Sequence, residues 1–223
     1  LREIFQQELE QVADDLAAMA SLVRTAMQDA TTALFTQDLE LAETVIERDR
    51  RIDALQDGVD QQCVTLLARQ QPVATDLRVV VSAMRMSSTI ERMGDLARHI
   101  ASIARGRFPD PALPPLAEPL FRSIADAANA VASDVVDLLE SRDVELAHRV
   151  MADDDELDRL HQETFRIILS PSADATAFTP QQIVDITLLG RYFERFGDHG
   201  TSVARRILFL VTGETVSSTA GVR

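Results

Sequence analysis

Along most of this chain the apolar residues return with a helical period. Phe5, Leu9, Val12, Leu16, Met19, Val23, Met27 and Leu34 step by three, four or seven residues, which draws one apolar stripe along a helix. The stripe predicts a helix from about residue 2 to Thr36. Thr36-Gln37-Asp38 supplies a break with capping chemistry, and a second helical segment follows from about Leu39 to Gln70. Gln71-Pro72-Val73-Ala74-Thr75-Asp76 is the next break. Thr75 or Asp76 is placed to cap a third helix that runs to about Arg105. Helices of about 30 residues are roughly 45 Å long.

Residues 1–106 therefore predict a three-helix bundle. Residues 107–119 hold Pro109, Pro111, Pro114, Pro115 and Pro119, a run that cannot be helix interior and predicts an extended linker. Beyond it the helical pattern restarts, from about Leu120 to Glu140, and breaks at Ser141-Arg142-Asp143. It resumes to about Leu169, and Ser170-Pro171-Ser172 opens a loop. Thr179-Pro180 gives an N-cap followed by proline at the first helical position. The last helix reaches about Thr212 and stops at Gly213, so residues 120–213 predict a second bundle. Residues 214–223 are small and polar and predict a flexible tail.

The two halves repeat. Asp38-Leu39-Glu40-Leu41-Ala42-x-x-Val45 recurs as Asp143-Val144-Glu145-Leu146-Ala147-x-x-Val150, an offset of 105. Glu91-Arg92-Met93-Gly94-Asp95 recurs as Glu194-Arg195-Phe196-Gly197-Asp198, an offset of 103. Two matches in the same order at nearly equal offsets imply a duplicated unit. The expected fold is all-α: two tandem three-helix bundles, six long antiparallel helices related by an internal repeat.

Composition narrows the function. The chain has 223 residues, 46% hydrophobic and 26% charged, enough for a real core in a soluble protein. Eight glycines and eight prolines are few turn formers for this length, which argues against an all-β fold. All 22 basic residues are arginine, and 36 acidic residues bring the formal charge to −14. A chain this acidic is a poor non-specific ligand for nucleic acid or anionic lipid and concentrates cations instead. Cys63 is the only cysteine, which excludes an intramolecular disulfide and a thiolate zinc site and suits a reducing cytoplasm. Val64, Leu66 and Leu67 around it suggest a helix-core position. No apolar run reaches the length of a membrane span, and Leu1-Arg2-Glu3-Ile4-Phe5 does not read as a signal peptide.

The repeat carries candidate chemistry. In Glu-Arg-x-Gly-Asp the carboxylates stand four residues apart, on one helix face, with Cβ atoms about 5–6 Å from each other. Like charges at that spacing destabilise a helix unless something neutralises them, and an interior glycine costs about 1 kcal/mol more relative to alanine. Both penalties occur twice, in register, which points to a close backbone approach or a ligand near the acidic pair. The preceding helix of each half carries a further pair, Asp49 with Asp53 and, at the offset of 105, Asp154 with Asp158. If these helices pack antiparallel, each bundle gathers four carboxylates. Clustered carboxylates without thiolate make a hard-oxygen site suited to Mg²⁺, Mn²⁺, Fe or Ca²⁺, and because carboxylates bridge they can hold more than one ion.

Competing readings remain at this stage. An acidic pair on a helix is commonly a solvated face, and Arg51, Arg92, Arg98 and Arg195 can neutralise these acids as ordinary salt bridges. His99, one turn beyond Asp95, can extend the Glu91/Asp95 face as a ligand, whereas His199 points about 100° away from Asp198. A ferritin-like di-iron oxidase needs Glu-x-x-His from two helices. Only Glu145-x-x-His148 fits, because its counterpart is Glu40-x-x-Glu43. No phosphate-binding Gly-rich loop, no Gly-x-Ser-x-Gly and no His-Glu-x-x-His occurs.

With these motifs assembled, the sequence resembles the PhoU family of phosphate-specific transport system accessory proteins, over about residues 2–214. The resemblance rests on Ala42-x-x-Val45-Ile46-Glu47-x-Asp49, on Gln71-Pro72-x-Ala74-x-Asp76-Leu77-Arg78 and on the two Glu-Arg-x-Gly-Asp motifs. It implies two tandem three-helix bundles, a homodimer, and a cytoplasmic protein peripherally associated with membrane complexes. It implies a non-enzymatic negative regulator of phosphate uptake and of the phosphate-starvation response. Its partners would be the phosphate ABC transporter, through the ATPase subunit, and a membrane sensor histidine kinase. It also implies metal, Fe, Mn, Mg or Zn and in multinuclear form, at Glu91 with Asp95 and Glu194 with Asp198, joined by Asp49, Asp53, Asp154 and Asp158. The alternative is a carboxylate-bridged metal-dependent helical enzyme, an oxidase or a phosphatase. Phe178-Thr179-Pro180 replaces the Gln-Pro segment in the second half, and Ser202 stands where the first half has His99, so the two halves are expected to be chemically unequal.

Overall fold

The structure is a computed structural model that describes residues 2–169 and 178–213. The loop expected at Ser170-Pro171-Ser172 and the tail expected over 214–223 lie outside the described residues. Among those described there are six α-helices and no strand: α1 (Arg2–Thr36), α2 (Leu39–Gln70), α3 (Ala74–Arg107), α4 (Glu118–Ser141), α5 (Val144–Leu169) and α6 (Pro180–Thr212). None is long and apolar enough to cross a membrane.

The ends of the helices follow local side-chain chemistry. Asp38 caps α2 by accepting from the Leu41 amide at 2.9 Å, and its repeat counterpart Asp143 accepts from the amides of Glu145 and Leu146 at the start of α5. Thr179 and Gln182 form a reciprocal capping box at the start of α6, with Pro180 in the first turn. Gly213 closes that helix with φ of 75°. One boundary differs from expectation. The third helix begins at Ala74, behind Val73, and neither Thr75 nor Asp76 caps it. Both residues are drawn into the first turn.

Helices α1, α2 and α3 pack on one another, as do α4, α5 and α6, and the two groups meet where α3 lies on α6 and α1 on α4. The apolar stripe read from α1 is the core-facing side: Met19 and Met27 are fully buried, and Val12, Leu16, Val23 and Leu34 nearly so. The buried apolar residues form one continuous cluster through both halves. The proline-rich segment between α3 and α4 is not a solvated spacer. It folds into turns and buries Ala112, Leu113 and Ala117, so its apolar side chains seal the end of the core.

Candidate metal centre

The two glycines of the repeated motif set the geometry. A Cβ added at Gly94 would lie 2.9 Å from Ile52 Cδ1 and 3.3 Å from Asp49 Oδ1; one at Gly197 would lie 2.7 Å from Leu157 Cδ1 and 3.1 Å from Asp154 Oδ1. No side chain fits there without displacing a neighbour, so the glycine lets the preceding helix approach and lays its aspartate against the motif. The close approach expected from sequence is present in both halves, between α2 and α3 and between α5 and α6.

Each half therefore brings its acids together, but the two sets differ. In the first half Arg98 enters from α3. Its Nε lies 2.6 Å from Asp49 Oδ2, and its terminal nitrogen lies 2.5 Å from Asp95 Oδ1. Asp49 is 8% exposed. Burial raises its pKa even though Arg98 pulls the other way, while Asp53 and Asp95 add to the rise. Glu91 is raised as well, first by burial and then by Asp95, Asp53 and Asp49.

In the second half the position of Arg98 is taken by Thr201, one motif offset later. Carboxylate oxygens of Asp158, Glu194 and Asp198 lie within 4.8 Å of one another, a spacing one cation can span. Beneath them lie the buried Oδ1 of Asp154 and the hydroxyl of Thr201, a residue only 2% exposed. Burial, then Asp198 and Asp158, push the Asp154 carboxyl up to about 6, although Thr201 as a hydrogen-bonding neighbour and the charge of Arg205 both pull it down. Burial leads the upward shift at Asp158 and Glu194 too, with Asp198 next in both. The one arginine paired at the rim is Arg191, which donates to Glu194 at 2.6 Å from a mostly exposed side chain.

The remaining candidates separate cleanly. His99 reaches the first set only through Arg98, whose terminal nitrogen lies 3.4 Å from its Nε2, while its ring packs on Tyr192 across the α3–α6 contact, centroids 5.1 Å apart. Arg92 and Arg195 pair with no acid among the described residues and instead flank His199, whose pKa is lowered by burial and by both of them. Arg51 is exposed and likewise unpaired. Of the four arginines expected to neutralise these acids, Arg98 does so, and His161 joins the second set as an unexpected neighbour. Arg98 completes an Asp-x-x-Arg step that fails to recur in the repeat, and His161 completes an Asp-x-x-His step after Asp158. His161 is nearly buried against Gly190 and Phe165 and feels the charges of Asp158 and Asp198, although burial outweighs them and lowers its pKa.

The fold and these duplicated acidic clusters define a class: a tandem helical-bundle protein with carboxylates gathered at matching positions of two repeats. Comparison with known proteins narrows the class. The PhoU domain matches the chain twice, at residues 16–104 and 121–207. The phosphate-specific transport system accessory protein PhoU homolog 2 of Mycobacterium tuberculosis is 38% identical over 96% of this chain and 99% of its own length. The crystal structure of PhoU from Pseudomonas aeruginosa superposes with a TM-score of 0.85 at 30% identity, covering 94% of this chain and 100% of that one. That of the phosphate transport system regulatory protein PhoU from Streptococcus pneumoniae gives 0.84 at 26% identity, covering 96% and 99%. This chain belongs to the PhoU family.

Proposed function

We propose that this protein is a phosphate transport accessory protein that works as a docking scaffold, restraining phosphate uptake and the starvation response. It would join the ATPase subunit of the phosphate ABC transporter to a membrane sensor histidine kinase, as a homodimer on the cytoplasmic side. The relatives named above, which match almost end to end, support the transporter association. Its rigid helices supply the contact surface, and a bound cation fixes the packing of α5 on α6.

The observation that carries the metal reading is the contrast between the repeats. The second set holds three convergent carboxylates above the buried Asp154 carboxyl, and among the described residues no arginine spans two of them. All of these are oxygen donors, which fit Mg²⁺, Mn²⁺ or iron, and a bound ion would supply the missing positive charge. In the first set Arg98 already spans Asp49 and Asp95, so we assign the metal to Asp154, Asp158, Glu194 and Asp198 rather than to Asp49, Asp53, Glu91 and Asp95.

The deciding experiment for the regulatory role replaces the chromosomal gene and follows phosphate uptake and a phosphate-starvation reporter at high and low phosphate. Membrane pull-down of the transporter ATPase and the kinase runs alongside. Loss of the protein should derepress both readouts; unchanged uptake and reporter in the deletion strain would refute the role. The enzyme alternative draws on His161, the one imidazole beside the second set. Oxidase or phosphatase turnover by the metal-loaded protein that disappears in Asp198→Asn would favour it.

A further inference from the structure

Helix α3 carries Arg78, Arg85, Arg92 and His99, one basic residue every seven positions. Seven residues are close to two helical turns, so these side chains line one face at intervals of about 10.5 Å. The register of α6 against that face follows from three contacts. The His99 and Tyr192 rings meet, Arg107 Nε lies 2.5 Å from Asp185 Oδ2, and Arg78 reaches to 3.7 Å from the Cβ position of Gly213. The helices thus run antiparallel, and the same register sets Arg206 opposite Arg85 and His199 opposite Arg92. Arg195 stands one turn from His199.

Arg85, Arg92, Arg195 and Arg206 enter no ion pair among the described residues, and the Nε of Arg206 is buried without a hydrogen-bond partner. Arg85, Arg92 and Arg195 are exposed. In a chain with 14 more acidic than basic residues, carboxylates were at hand to pair them. Instead, like charges face each other along the seam, at a cost that an external anion would remove.

We propose that the α3–α6 seam is a docking stripe for an acidic helix of a partner protein whose carboxylates recur at seven-residue spacing. Charge complementarity and spacing carry the choice. Neighbouring rungs are too far apart for one inorganic phosphate to bridge. A nucleic acid carries a phosphate every ~1.7 Å of axis and would extend its charge over the carboxylate sets on either side of the seam. A protein helix can confine its charge to the stripe. The inference is independent of any metal.

The test is direct binding of the full chain to a synthetic helical peptide of about 24 residues with glutamate at every seventh position, against a scrambled peptide of equal composition. Inorganic phosphate and a short DNA duplex are run in parallel. The registered peptide should bind roughly tenfold more tightly than the scrambled one, and raising salt from about 50 to 200 mM should weaken it. The variant Arg85→Gln/Arg92→Gln/Arg206→Gln should lose roughly tenfold, while Arg50→Gln/Arg51→Gln/Arg69→Gln, with the same charge change away from the stripe, should lose little. Thermal melts establish that both variants are folded, and the single variant Arg92→Gln, with a smaller loss in the same direction, serves if the triple variant is not. Equal affinity for both peptides, equal loss in the two triple variants, or tighter binding of phosphate or DNA at these arginines would overturn the proposal.

Discussion

Replacing Arg98 by threonine, the residue at the equivalent place of the second repeat, tests whether one guanidinium does in the first half what a metal does in the second. Arg98 spans Asp49 at 2.6 Å and Asp95 at 2.5 Å, and Asp49 is almost wholly buried. Stranding a buried charge by removing its partner costs about 3–5 kcal/mol. A third of the Arg98 side chain is exposed, so screening trims that to about 2–4 kcal/mol. In a protein of this size about 1 kcal/mol moves Tm by roughly 2–4 °C, so metal-free Arg98→Thr should melt about 4–16 °C below its parent. The variant should then behave as its twin does. An added cation at a hundred times its dissociation constant returns about 2.7 kcal/mol, so Mn²⁺ should restore most of the loss. Differential scanning calorimetry after chelation, with and without Mn²⁺, reads the first effect. Metal analysis of the dialysed protein reads the second, with more metal per chain in the variant than in the parent. A variant that melts with its parent, or one that loses stability and gains neither metal nor recovery, would show that Arg98 is not standing in for a cation.

Three further outcomes are expected. Asp154 titrates near 6 when folded and at the ordinary carboxylate value when unfolded, so without metal the folded state holds the extra proton. Its contribution is therefore most favourable below about pH 4 and is lost as pH rises to about 6, a change of about 2–3 kcal/mol. Asp154→Asn should abolish that slope, stabilising metal-free protein at pH 7 and weakening the metal-loaded form; denaturant titrations at both pH values, with and without Mn²⁺, would expose a failure as parallel pH profiles. Gly58 and Gly200 should respond oppositely to alanine: a Cβ at Gly58 meets nothing within 4 Å, whereas one at Gly200 collides with Val131 on α4. Thermal melts should rise by roughly 2–3 °C for Gly58→Ala, from about 1 kcal/mol of helix propensity, and fall by roughly 3–6 °C for Gly200→Ala. Cys63 is fully buried and its thiol is pushed up to about 11, so iodoacetamide should leave it unmodified in the native protein and label it only as denaturant unfolds the chain.

The fold was legible because periodicity, caps and breaks agree along most of the chain. Asp38, Asp143, Thr179 and Gly213 act where a sequence reading places them, since each meets its partners within a few residues. Two segments differ from that reading, and only the second is explained by burial. Thr75 and Asp76 are sound caps in isolation, yet α3 starts before them. The proline-rich segment looks like a spacer, yet Ala112, Leu113 and Ala117 are drawn onto the open end of the core.

The site was half legible, for a reason that bears on function. Spacing puts Glu91 and Asp95, or Glu194 and Asp198, on one face, and the glycine between them reports a neighbour too close for a side chain. What duplication hides is divergence. A repeat invites the same role for both copies, while the residue deciding between internal and external neutralisation lies three positions beyond the motif, arginine in one copy and threonine in the other. Arg98 pairs with Asp49 from within the chain and ties α2 to α3. Among the described residues no arginine spans two carboxylates of the second half, so on the proposed reading a cation adds to the packing of α5 on α6. On that reading the first half holds its shape by itself while the second responds to cation. Because one apolar cluster joins the halves, added Mn²⁺ should raise the single melting transition, and hydrogen exchange should show local protection rising on α5 and α6 and staying nearly still on α1 to α3.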